Sequence, residues 1–104
     1  MNKIKTNILH VVSDDPTDIY YRAIAELQMM LKQIKAGKDD IERCALEIHY
    51  EGRLEVTEEV KRSYLGIVEQ VEELLGGTDE VLLTVDDKTD KKAIYTVDIF
   101  FSLK

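Results

Sequence analysis

Tyr20, Ile24, Leu27, Leu31 and Ile34 recur at steps of 4, 3, 4 and 3, which places them on one side of a helix. The spacing predicts a helix over Pro16 to Ala36. Asp15 is suited to cap it, because a carboxylate accepts from the free N–H groups of a first turn. Pro16 fits the first helical position, where no donor is needed, and Asp18 adds negative charge at the positive end of the helix dipole. Gly37 is expected to supply the left-handed residue that ends the helix. A second stripe runs through Val60, Tyr64, Ile67, Val71 and Leu74 and is widened by Val68 and Leu75. Thr57 is its expected cap and Gly76-Gly77 its stop.

Elsewhere the period shortens to two. Lys3 to Val12 is rich in β-branched residues and runs into the turn cluster Ser13-Asp14-Asp15-Pro16, so it reads as a strand. It carries apolar residues on both faces, Ile4, Ile8 and Val12 against Leu9 and Val11, which suits an interior strand. Residues 42–56 fit three descriptions. Asp39 and Glu42 could open a helix with a variant capping box. Yet Cys44, Leu46, Ile48, Tyr50, Leu54 and Val56 alternate with polar neighbours, Ala45 and Gly52 alone breaking the pattern, and a helix would leave Leu46 and Tyr50 on its polar side. The alternation favours strand, with a hairpin turn near Gly52 or one long bent strand as its two forms. At the end of the chain Val81, Leu83 and Val85 precede the polar run 86–91, and Ala93 to Leu103 alternate after it. This reads as a closing hairpin.

The elements come in the order β-α-β-β-α-β followed by one more strand. That order resembles the ferredoxin-like split-βαβ layout, in which two helices cover one face of a mainly antiparallel sheet. The expected fold is therefore an α+β two-layer sandwich forming a single domain over residues 1–104. The resemblance is to a layout and brings no function with it.

Composition narrows the function classes. The 104 residues are 44% hydrophobic and 34% charged, as in an ordinary globular chain. The net charge of −7 argues against direct nucleic-acid binding and against docking on an anionic membrane. One cysteine, Cys44, excludes an internal disulfide and fits a reducing compartment. The first twelve residues lack the apolar run of a signal peptide, and no stretch approaches a membrane span. The expected location is cytoplasmic.

Candidate chemistry is sparse: two histidines, one cysteine, no tryptophan, no glycine-rich phosphate loop and no Cys/His metal spacing. No catalytic, cofactor-binding or metal-ligating residue is assigned, and no cofactor is expected. On a strand Cys44 and His49 face opposite ways, so Cys44 reads as a core residue. His10 precedes Asp14, Asp15 and Asp18, whose expected role is capping. Asp86, Asp87 and Asp90 lack the calcium-loop alternation and read as a solvated turn.

Surplus apolar surface is the more informative feature. Tyr21, Ala25 and Met29 point away from the first helical stripe, and Leu82, Ile94 and Phe100 fall on the sheet face opposite the helices, where Leu9 and Val11 could join them. Contiguous apolar surface marks binding sites, so Tyr21, Met29, Leu82, Ile94 and Phe100 are the candidate interface residues. The expected function is a non-catalytic interaction or regulatory module, with a protein partner or a second copy in a homodimer. The alternatives are a small ligand-binding protein or enzyme with a pocket between sheet and helices or between subunits, for which His10, His49 and Asp98 are the polar groups, and an acidic inhibitor that occupies a basic nucleic-acid-binding protein.

Overall fold

The computed structural model describes residues 6–53, 58–88 and 90–104. Strand β1 (Thr6–Ser13) leads into helix α1 (Pro16–Ile34), a single 3₁₀ turn at Lys38–Asp40 and strand β2 (Ile41–Gly52). Helix α2 (Glu58–Leu75) and strands β3 (Glu80–Asp87) and β4 (Ile94–Leu103) complete the chain. The fold is an α+β two-layer sandwich with both helices packed on one side of a four-stranded mixed sheet.

The helices start and stop for local reasons. Asp15 Oδ1 accepts from the N–H groups of Thr17 at 2.8 Å and Asp18 at 2.9 Å, satisfying two orphan donors of α1. The other end differs from expectation. Lys35, at φ 56°, takes the left-handed position two residues before Gly37, and Ala36 N–H donates to the Leu31 carbonyl at 3.0 Å. This Schellman-type ending lets Ala36 pack on the core. Helix α2 ends as its glycines suggest, with Gly77 N–H on the Glu72 carbonyl at 2.8 Å. Its expected cap, Thr57, lies outside the described residues.

Sheet order departs from the ferredoxin-like layout. The strands lie in the order β1-β4-β2-β3. β4 is antiparallel to both β1 and β2, whereas β2 and β3 are parallel. The closing hairpin is therefore not formed: the chain leaves β3 at the sheet edge, crosses the end of β2 and inserts β4 between β1 and β2. β4 is apolar on both faces, through Tyr95, Val97, Ile99 and Phe101 on one and Ile94 and Phe100 on the other, so a central position suits it. β1 is an edge strand, not an interior one. Residues 41–52 form one strand, as the alternation predicts, with a bulge between Ile41 and Arg43 that returns Ile41 to the buried side. The expected partner strand with Leu54 and Val56 falls outside the described residues, so the observed order is β-α-β-α-β-β.

Gly52 reveals how the crossing works. Lys88 and residues 91–93 close over it, with Lys88 N–H on the Gly52 carbonyl at 2.9 Å and Arg53 N–H on the Lys91 carbonyl at 2.8 Å. Gly52 has φ 103°, and a Cβ there would stand 2.4 Å from the Lys92 carbonyl oxygen. Only glycine meets both demands. It marks a close approach of backbone to backbone rather than a hairpin turn.

The core lies between the layers. Leu46, Ile48 and Tyr50 of β2 and Val97, Ile99 and Phe101 of β4 meet Ile19, Leu27, Ile67 and Val71 of the helices. Val11 belongs to this core and Leu9 packs against it, so neither joins the uncovered face. On β1 that face carries Ile8, His10 and Val12 instead.

Candidate interaction surface

Alternation with Leu82, which falls on the face opposite the helices, places Val81, Leu83 and Val85 on the helix side of the sheet. In register they do lie on that side, opposite Leu46, Ile48 and Tyr50. Those three partners are buried, but Val81, Leu83 and Val85 are 36%, 41% and 55% exposed. The cause is the position of the helix layer. Helix α1 packs on β1 and β4, and α2 packs on β2, where Tyr50 Oη lies 3.5 Å from Ser63 Oγ. β3 stands beyond that cover. On its other face Leu82 is 49% exposed. Strand β3 thus presents apolar side chains on both faces, along an edge that no other described strand pairs.

Acids bracket this apolar run. Glu80 precedes it, and Asp86 and Asp87 follow it. Asp86 meets Lys88 Nζ at 3.2 Å, and the same ammonium lies 3.8 Å from Glu51. Among the described residues neither Glu80 nor Asp87 forms an ion pair, and Arg43 lines the same cleft as Glu80.

The candidate interface residues do not form one patch. Tyr21 and Met29 are exposed on the outer side of α1, whereas Leu82, Ile94 and Phe100 face the opposite side of the sandwich. Those three are themselves separated. Phe100 lies between Ile8 and Ala45, Leu82 is opposite Glu47, and Ile94 is opposite Glu51. The rows between Phe100 and Ile94 are polar on β4 and β2, His10–Asp98–Glu47 and Val12–Thr96–His49, with Val12 on β1 the one apolar member. Of the five, Leu82 alone belongs to the exposed run of β3.

The polar groups of the ligand-binding alternative lie on this bare face too. His10 Nδ1 is 2.5 Å from Asp98 Oδ1, across directly opposed strand positions, and His49 Nε2 is 3.6 Å from Glu51 Oε2. Neither pair stands in an apolar pocket. Cys44 is buried on the helix side, and burial followed by the Asp79 charge pushes its thiol up to about 11. No group of three or more His, Cys, Asp or Glu side chains among the described residues is placed to hold a metal ion. No described helix is long and apolar enough to cross a membrane.

No protein-family model matches the chain, and no curated protein does.

A feature absent from the sequence reading is the gathering of all five tyrosines at one end. Tyr20, Tyr21 and Tyr64 lie in the first two turns of the helices, and Tyr50 and Tyr95 face each other edge-on at 4.7 Å. Burial raises the hydroxyl pKa values of both Tyr50 and Tyr95. Between the two helix N-termini is an open cleft of about 380 Å³, lined by Tyr20, Tyr21, Glu59, Arg62, Ser63 and Gly66 among others. Gly66 admits the Tyr20 ring, since a Cβ there would stand 2.8 Å from Tyr20 Cε2. Thr17 Oγ1 donates to Glu59 at 2.7 Å and ties the two helices together. The signal for this cluster was the placement of tyrosines, two on α1 and one on each of β2, α2 and β4, near the same end of four elements, visible only once strand directions are known.

Proposed function

We propose that the chain is a non-catalytic interaction module that works by adding a strand from another chain to the free edge of β3. One observation carries the reading: Val81, Leu82, Leu83 and Val85 are exposed on an eight-residue edge strand with unbroken register from Glu80 to Asp87. Native sheets blunt such edges with lysine, proline, bulges or short strands. Inside this apolar run there is none of these. A strand added there would gain main-chain hydrogen bonds and cover apolar side chains on both faces. The β1 edge is a poorer template, because Leu9 and Val11 are already packed on the core.

Light scattering and co-purification of the wild type and a Leu82→Lys/Leu83→Lys variant test this reading. The variant is expected to stay folded, since both side chains are solvent-exposed, and to lose the partner, whether a second copy or another protein. A monomeric wild type that retains nothing the variant loses would overturn it.

A second reading is favoured by one observation. The tyrosine-lined cleft lies at the carboxyl ends of the three mutually parallel strands β1, β2 and β3, where open α/β sheets take their ligands. Tyrosine fluorescence during titration with small aromatic acids and amines tests it, and a Gly66→Val variant that fills the cleft should abolish any change seen.

A further inference from the structure

The β3 edge also carries information about which strand it takes, and this inference rests on the edge reading above. Opposed residues of an antiparallel pair share a sheet face, so a second β3 must pair positions of like parity. Centred on Leu83, such a pair places Glu80 opposite Asp86 of the second copy, twice over. Centred on Thr84, it sets Leu82 against Asp86 and Val81 against Asp87. Centred on Leu82, it avoids both but shortens the ladder to residues 80–84 and leaves Val85 uncovered. Self-pairing therefore either opposes carboxylates, buries them against apolar side chains, or gives up part of the edge. Lys88 offsets Asp86 in part, whereas Glu80 forms no ion pair among the described residues, with Arg43 lining the same cleft.

A strand with basic ends meets none of these obstacles. Glu80 and Asp86 face the same side and stand six residues apart, so two cations at that spacing oppose both acids at once. Apolar residues at the intervening helix-side positions then cover Val81, Leu83 and Val85. The net charge of −7 favours encounter with such a segment and opposes encounter with a second copy. We propose that β3 takes up an extended segment of another protein that alternates apolar residues and carries Lys or Arg six positions apart.

The test uses two capped peptides, Lys-Val-Thr-Val-Thr-Val-Lys and the same core with glutamate at both ends. Each is titrated into the full chain at neutral pH while the backbone amide resonances of Glu80–Asp87 are followed. The lysine-ended peptide should bind at these residues about tenfold or more tightly than the glutamate-ended one, and Glu80→Gln should narrow the gap. Equal binding of the two at β3 would overturn the charge inference and leave the edge reading standing. Binding of neither would overturn both. A wild-type chain that already pairs through β3 at neutral pH would also overturn the inference, because the occupant would then be a second copy.

Discussion

Leu83 stands directly opposite Ile48 across the parallel β2–β3 ladder and projects to the same side of the sheet, yet Ile48 is 1% exposed and Leu83 is 41%. One strand step thus separates the core from solvent. Helix α2 covers β2 and leaves β3 outside, so an apolar strand sits at an open edge in the folded chain. That relationship carries the functional reading.

The crossing that puts β3 at the edge depends on Gly52. Replacing it with alanine introduces a Cβ 2.4 Å from the Lys92 carbonyl oxygen at φ 103°. The substitution should lower stability by about 2–4 kcal/mol, from left-handed strain and overpacking together. Urea denaturation measures it; a loss below about 0.5 kcal/mol would mean that Lys92 and Ala93 do not close on β2.

Core packing gives a second expectation. Leu27 and Ile67 are fully buried, and either changed to alanine should cost about 2–4 kcal/mol in the same assay. A loss below about 1 kcal/mol at both would place the helical stripes elsewhere.

Lys35 offers the opposite sign. It holds φ 56° at the end of α1, a conformation that costs a residue with a Cβ and that glycine adopts freely. Relief of about 1–2 kcal/mol of left-handed strain, less about 0.5–1 kcal/mol of added chain entropy in glycine, should leave Lys35→Gly more stable by about 0.5–1 kcal/mol, and a destabilised variant would contradict the Schellman-type ending.

Alkaline pH should weaken the fold. The Cys44 thiol moves from an ordinary 9.0 to about 11, and burial raises Tyr50 and Tyr95 as well. The unfolded chain releases these protons first, so stability is full below pH 9 and declines as pH rises toward 11. Thermal melts from pH 7 to 10.5 check the direction, and Cys44→Ser should reduce the slope. Native Cys44 should also react slowly with a thiol reagent at pH 8, whereas labelling as fast as in denaturant would show the thiol exposed.

Most local structure was legible in the sequence, although the end of α1 was not, because Lys35 and not Gly37 takes the left-handed position. Asp15 and Pro16 mark the start of α1, and the even-numbered apolar set of β2 separates it from a helix. Leu82, Ile94 and Phe100 were placed on the correct face by parity alone. Strand pairing was not legible. Gly52 carries the same signal whether it turns a hairpin or admits a crossing segment, and an apolar strand such as β4 suits a hairpin as well as a central slot. The exposure of Val81, Leu83 and Val85 was hidden for a related reason. Alternation reports which side a residue faces and cannot report whether a helix lies above it. The distance between Phe100 and Ile94 followed from register, which the pattern along one strand does not fix.

Amide hydrogen exchange along β3 tests the free edge most directly. Every second N–H of an edge strand points away from its neighbour, so the isolated chain at neutral pH should show protection alternating between adjacent residues from Glu80 to Asp87. Saturation with the lysine-ended peptide should then protect the fast set as well. Uniform protection in the isolated chain, or a fast set that stays fast when the peptide is bound, would contradict the account.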